Sequence, residues 1–289
     1  MQILVLSARP DTASNRRLSD AAAQVGVAID IVDATDLTAT NTGEISGSRI
    51  TPTAQPPDVV LARVGNWRPD SLLALLENLT ARRVETPNPA SAIRIGRDHW
   101  RTMQTLSMSG IPVPRTLAGA DPEALAAAVM DQLEFPVVVK QRRSRMGVGV
   151  VRCRALDHLE AVLDSLWRVG DEVVVQQYHE TGGRSLRLLV AGSRVVASAC
   201  FEAVGSEWRS NAARGGIVTS VVPDEEAVTI AVAATRSVGL GICGVDILPA
   251  KDGILVGEVN PTPGFVSLER ATGVDVAGAI VAHLVALAG

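Results

Sequence analysis

The chain has 289 residues, enough to bury a large core and to divide into two or three small lobes. With 27 Lys and Arg against 31 Asp and Glu the net charge is −4, and no polybasic run occurs, which argues against nucleic acid or an anionic membrane as the main partner. No stretch approaches the roughly 18 apolar residues needed to span a bilayer, so no membrane partner is expected.

From the N-terminus, Ile3–Ser7 reads as a short apolar strand, Arg16–Val25 as an amphipathic helix and Ala28–Val32 as a second strand. Asp58–Val64 is a third strand and Pro69–Leu79 a helix. This βαβ pattern predicts a parallel sheet with helices on both faces. Asn41–Pro57, rich in Thr, Ser, Gly and Pro, predicts a loop with room for a short strand near Ser48–Ile50. A helix from about Asp98 to Ser109 ends at Gly110-Ile-Pro-Val-Pro114, a linker by its Gly and Pro content.

Beyond Arg115 the pattern turns α+β. Helix Pro122–Gln132 leads to strand Val137–Lys140, a polar glycine-bearing loop Gln141–Gly149, and strand Val150–Arg152. Helix Leu156–Arg168 precedes an apolar strand, Glu172–Gln177. Strands Ser185–Val190 and Arg194–Phe201 flank the turn Ala191-Gly192-Ser193. A polar loop Gly205–Gly216, a helix Glu225–Val238, two strands around Lys251-Asp252-Gly253 and a last helix Val274–Leu287 complete the chain. The expected division is a βαβ unit over 1–95, a connecting helix and linker over 96–114, a central α+β lobe over 115–180 and a C-terminal α+β lobe over 181–289.

The last pair of strands carries the strongest chemical signal. Glu258 and Asn260 are two apart and share a strand face, and a hairpin centred on Asp252 sets Asp246 opposite Glu258. Two carboxylates side by side on an apolar ribbon call for a compensating cation, and hard oxygen ligands suit magnesium or manganese held with phosphates. Solvated strand ends and ordinary Asp-Gly turn chemistry fit the same residues.

Four weaker features precede it. Lys140, one of only two lysines, ends an apolar strand and suits phosphate oxygens, or snorkels to solvent. The loop Gln141-Arg-Arg-Ser-Arg-Met-Gly-Val-Gly149 has glycines for close backbone approach and three arginines for phosphate, or is a plain turn. Val173–Tyr178 ends in Gln177 and Tyr178, where a strand backbone can meet an adenine edge, or simply leaves the core. Arg209, Ser210, Asn211 and Arg214 form a polar cluster able to bind anions, or a solvated loop. Cys153, Cys200 and Cys243 are scattered and odd in number, so no disulfide framework is expected. The N-terminus, Met1–Pro10, lacks a basic leader and a long apolar run, and together with the cysteines predicts a cytoplasmic protein.

In this order, the motifs resemble the ATP-grasp ligases, and within them the RimK-type glutamate ligases. The resemblance covers nearly the whole chain, from Ile3-Leu-Val-Leu-Ser and Arg97-Asp98…Arg101-Thr-Met to Arg209-Ser-Asn…Arg214-Gly-Gly, Gly244-Val-Asp-Ile-Leu, Glu258-Val-Asn-Pro-Thr-Pro-Gly and Thr272-Gly-Val-Asp-Val-Ala-Gly. It implies an α/β ATP-grasp fold of three lobes, a parallel βαβ N-terminal lobe followed by two α+β lobes clasping ATP. It also implies that Asp246, Glu258 and Asn260 ligate Mg2+ or Mn2+ and that Lys140 contacts phosphate. Gln177 and Tyr178 fall at the adenine hinge, Ser185 beside the ribose, and Arg209, Ser210 and Asn211 on the nucleotide. Arg187 and Arg214 become candidates for holding substrate or an acyl phosphate. The implied reaction activates a carboxylate with ATP and forms an amide with an amine, with glutamate or a similar amino acid added to a protein tail or small molecule. Peptide ligases of the glutathione- or lysine-biosynthesis kind and a catalytically weak ATP-binding regulator are the alternatives. Family members are commonly dimers or tetramers.

Several positions depart from the family pattern. Arg142–Met146 replace small and amide residues of the phosphate loop, and His99 stands where a lysine is usual. Gln177 replaces a hinge acid, Ser185 an aspartate, and Cys200-Phe-Glu202 a basic segment. Either Arg143 or Arg145 takes over phosphate contacts, or the site has drifted toward nucleotide binding without catalysis.

Overall fold

The structure, a computed structural model, describes residues 1–47, 56–65, 67–143, 148–205, 207–210, 215–251 and 253–289. The strand expected near Ser48–Ile50 lies outside these residues. In the first unit β1 (Gln2–Ser7), α1 (Ala13–Gln24), β2 (Ala28–Asp33), β3 (Leu37–Ala39), β4 (Ile45–Gly47), β5 (Val59–Arg63) and α2 (Pro69–Ala81) follow one another. β2, β1 and β5 form the parallel sheet that the alternating pattern predicts. Its side chains alternate between faces: Ile3 and Val5 pack in one core with Leu18 of α1, while Leu6 packs in another with Leu73 and Leu76 of α2. β3 and β4 pair as a hairpin that no expected element covers: β4 falls inside the span Asn41–Pro57 read as loop, and β3 lies just before it. Its strands, three residues each, are too short to show alternation.

α3 (Ala90–Gly96) and α4 (His99–Met108) then lead to a four-stranded antiparallel sheet. It is built from β6 (Thr116–Leu117), β7 (Val137–Gln141), β8 (Val150–Cys153) and β9 (Val173–Gln177) in the order β6-β9-β7-β8. Its helices are α5 (Pro122–Gln132) and α6 (Leu156–Arg168), which start and stop where the sequence pattern placed them. Asp121 caps α5 through the Ala124 N–H and Pro122 opens its first turn, both ordinary start signals.

The third sheet has the order β12-β11-β10-β13-β14, from β10 (Arg184–Ala191), β11 (Arg194–Glu202), β12 (Ile217–Ser220), β13 (Ile242–Ala250) and β14 (Gly253–Asn260). α7 (Glu225–Val238) separates β12 from β13, and α8 (Val266–Thr272) and α9 (Val276–Ala288) close the chain. The short elements α3, α8 and β12 carry no periodic signal in the sequence and were absent from the expected elements. Two apolar cores join the first and third sheets: one holds Leu6 and Val60 with Leu188 and Val245, the other Ile3 and Val59 with Leu189 and Phe201. The middle sheet keeps a separate core of Val137, Val139, Leu159, Leu163 and their neighbours. The three cysteines are free thiols. Among the described residues no single helix is long and apolar enough to cross a membrane.

Candidate active site

The acids of the last hairpin face each other as expected, but by a different route. Near the turn the register runs Ala250↔Gly253 to Ile247↔Val256, then shifts so that Asp246 pairs with Glu258. Gly257 is the extra residue of this bulge. Without it Asp246 would face Gly257 and Glu258 would turn to the other side of the sheet. A Cβ on Gly257 would lie 2.9 Å from two Leu248 side-chain carbons, so the close approach there requires glycine. Asp252, on which the expected hairpin is centred, lies outside the described residues.

On the next strand Arg187 pairs with Asp246, so β10, β13 and β14 set Arg187, Asp246 and Glu258 in one cross-strand row. Arg187 forks the carboxylate, with Nε and Nη2 donating to its two oxygens at 2.6 and 2.5 Å. Its guanidinium also lies 4.9 Å from the Phe201 ring centroid. Burial pulls the Arg187 pKa down, but Asp246 and then Glu258 carry it above its ordinary value.

Lys140 approaches this row from the middle sheet. Burial lowers its pKa, and the charges of Glu258 and Asp246 oppose that fall, which places the ammonium within electrostatic reach of both acids. Its Nζ donates to Gln176 Oε1 at 2.7 Å, and Gln176 Nε2 donates in turn to Thr116 Oγ1 at 2.9 Å. Gln176, only 4% exposed, is a site residue that the sequence reading passed over. It alternates with Val175 into the pocket, yet an amide in an apolar strand signals nothing until its lysine partner is seen.

Lys140, Gln177, Tyr178, Ser185, Arg187, Arg209, Ser210, Asp246 and Glu258 all line one pocket, together with His99, His179 and Trp208. Asn260 lines a smaller recess that shares His99 and Glu258 with it, and its Oδ1 accepts the Thr262 N–H at 2.9 Å. Asn211 and Arg214 lie outside the described residues, as does Arg145. Arg143 does not line the main pocket; it lines a recess beside α4.

The edges of the pocket are held by polar ties. The Gln177 side chain turns away, exchanging hydrogen bonds with the backbone N–H and C=O of Glu134 at 2.9 Å each. Its backbone N–H donates to the Arg115 carbonyl at 2.8 Å. Ser210 donates to Ser185 Oγ at 2.6 Å, coupling the two serines. Arg209 forks Glu207 and donates to the Val150 carbonyl at 3.2 Å, which ties the 207–210 segment to β8. The Arg209 hydrogen bond holds the Glu207 carboxyl at about 2, well below the usual carboxylate range. The Arg152 guanidinium lies 5.1 and 5.2 Å from the ring centroids of Tyr178 and Trp208, which meet edge to face 5.8 Å apart, and it donates to the Tyr178 hydroxyl at 3.0 Å.

Arg142, one of the positions that depart from the family pattern, also has a structural role. Arg142 Nε and Nη2 donate to the two oxygens of Asp98 at 3.2 and 2.7 Å, and Nη1 donates to Glu172 at 3.0 Å. Its carbonyl accepts the His99 N–H at 2.8 Å. The entry to the loop is thereby fastened to the first turn of α4.

The chain is similar to known proteins in sequence and in fold. A family model described as the RimK-like ATP-grasp domain matches residues 96–284. A probable alpha-L-glutamate ligase of Pasteurella multocida is 32% identical over 298 residues, covering 98% of this chain and 94% of that protein. The crystal structure of a RimK domain ATP-grasp protein from Sphaerobacter thermophilus superposes with a TM-score of 0.75 at 23% identity, over 99% of this chain and 100% of that one. The ATP-grasp ligase PsnB, complexed with a phosphomimetic variant of a minimal precursor, Mg and ADP, superposes with a TM-score of 0.72 at 21% identity, over 99% of this chain and 98% of that one. By its family match, its nearly full-length relatives and its fold, the chain belongs to the RimK-like ATP-grasp family of ligases.

Proposed function

We propose that the protein is an ATP-dependent carboxylate–amine ligase that adds glutamate, or a similar amino acid, to a carboxylate-bearing protein tail or small molecule. The observation that carries this reading is the row Arg187–Asp246–Glu258 facing Lys140 in a single pocket. The names of the glutamate-ligase relatives and the precursor bound to PsnB support the two substrate classes.

Two carboxylates and an amide make an all-oxygen donor set, which fits a hard cation. Arg187 uses one position on each Asp246 oxygen, and an ionised carboxylate offers about four acceptor positions in all. Among the described residues no cluster of three or more His, Cys, Asp or Glu is present, so phosphate oxygens and water would complete the coordination. Asp246, Glu258 and Asn260 are the proposed ligands of magnesium or manganese, with magnesium favoured by the PsnB complex. Such a cation neutralises charge on the ATP phosphates.

The chain's own groups supply the rest. Lys140 sets a fixed positive charge against the phosphates. The Gln177 backbone and Tyr178 border the adenine, and Ser185, Arg209, Ser210 and Asn211 hold the nucleotide. Arg187 and Arg214 orient the carboxylate as it attacks the γ-phosphate, and they stabilise the acyl phosphate that results. An amine then displaces phosphate and forms the amide. Proposed lobes at 1–95, 115–180 and 181–289, joined by a connector at 96–114, enclose this pocket, and a cytoplasmic setting fits the free thiols.

The test is ADP release across a panel of carboxylates and amines. Release should require both, and Glu258→Gln should lower it at least 100-fold. Equal release in that variant would remove Glu258 from the reaction. The fork of Arg187 on Asp246 favours one second reading, a nucleotide binder without turnover. Nucleotide binding without ADP release across the whole panel would select it.

A further inference from the structure

A second cavity, of about 520 Å³, is bounded by the start of α4, the turn before α5, the end of α6 and the start of β9. It shares no lining residue with the pocket of Lys140 and Asp246. Its volume falls within the range of roughly 300–1,000 Å³ usual for small-molecule sites. Two indole rings line it, and the helix patterns show why. On α6 the residues Leu159, Leu163 and Trp167 recur every four positions and so share one face. Leu159 and Leu163 are buried in the core of the middle sheet, but the stripe then runs past that core and leaves Trp167 59% exposed. On α4, Trp100 stands three residues before the buried Met103. Leu125, Leu163 and Val173 add apolar lining between the helices.

The charges of the cavity are out of balance. Arg142 is the one basic side chain of the lining among the described residues, and Asp98 and Glu172 share it at 2.7 and 3.0 Å. Asp171 accepts only the neutral Gln141 amide, at 2.6 Å, among the described residues. A carboxylate without a cationic partner therefore borders a lining with two tryptophans. Indole faces attract cations, most of all where water is displaced. An anion would meet Asp171 and Glu172, and a neutral molecule would gain packing alone.

We propose that this cavity binds a small organic cation, an ammonium group on an apolar body, held by Trp100 and Trp167 with Asp171 as its counter-charge. The site stands apart from the ligase reading, since it has no residue in common with the nucleotide pocket.

The test follows the indole N–H signals of the four tryptophans, Trp67, Trp100, Trp167 and Trp208, by NMR during titration with choline at constant ionic strength. Trp208 lines the nucleotide pocket and Trp67 lines neither site, so the signals report where the probe binds. Choline should shift Trp100 and Trp167 in a saturable way and leave the other two in place. Its neutral isostere, 3,3-dimethyl-1-butanol, should bind at least tenfold more weakly. Trp167→Leu keeps an apolar wall, and Asp171→Asn keeps an oxygen for the Gln141 amide. Each should weaken choline binding, read on Trp100, at least fivefold, and Trp167→Phe should recover part of the first loss. Equal binding of the alcohol overturns the proposal, as do shifts confined to Trp67 or Trp208, shifts that do not saturate, or unchanged affinity in either variant.

Discussion

Arg187 forks the carboxylate proposed to hold a divalent cation, and this gives Arg187 two measurable roles. Its fork is partly buried, with side chains 21% and 16% exposed for Arg187 and Asp246. Removing one partner of such a pair leaves the other charge uncompensated, at a cost of about 3 kcal/mol. Arg187→Met should therefore lower stability to urea by about that amount. Magnesium with ADP should raise the variant's midpoint more than the wild type's, because the cation would answer the charge left on Asp246. A gain no larger than the wild type's would place Asp246 outside the metal's reach. The neighbouring Gly257 shows how an expected pairing can form for a reason that the expectation did not contain. A hairpin centred on Asp252 already pairs Asp246 with Glu258. The structure reaches the same pairing through a tighter connection and a compensating bulge. The two routes place the acids identically, so the sequence alone did not distinguish them.

At the scale of elements, α4 is held at its start by one side chain with two jobs. Asp98 caps the helix by accepting the Arg101 N–H at 3.1 Å, and it receives the Arg142 fork. Asp98→Asn keeps an oxygen for the cap but gives up the charge and one arm of the fork. A loss of about 1–2 kcal/mol in urea denaturation is expected. Asp98→Ala should lose roughly 1 kcal/mol more, because the cap goes too. Both variants should weaken nucleotide binding several-fold by calorimetry, since His99 and the loop entry are set by the same tie. Full nucleotide affinity in Asp98→Ala would show that the loop finds its place without α4. The sequence made Asp98 legible as a helix start and nothing more, because its partner is 44 residues away. Long periodic elements such as α5, α6 and α7 were readable to within a residue. The seven-residue helices α3 and α8 and the four-residue strand β12 were not, because so few residues cannot establish a period.

For the whole molecule, the distribution of the cores suggests which part moves. The first and third sheets share two apolar cores, whereas the middle sheet forms a separate core with α5 and α6. Its ties to the rest include Arg142 to Asp98, Arg209 to the Val150 carbonyl, and Arg152 and Tyr178 against Trp208. Polar contacts of this kind resemble a transient interface more than a core, and they leave a lobe free to open as a unit. Which sheets share a core could not be read from the chain, where composition does not tell which apolar faces meet. Hydrogen exchange should therefore show β7, β8 and β9 opening together, faster than β1, β5 and β13. Mg-ADP should slow exchange in the middle sheet at least tenfold while changing β1 and β5 little, because the nucleotide would bridge Lys140 and the acids of the third sheet. Equal protection in all three sheets would mean that the lobes form one rigid body. Protection confined to the middle sheet and the 207–210 segment would identify closure of this lobe as the step that brings Lys140 against the row of Arg187, Asp246 and Glu258.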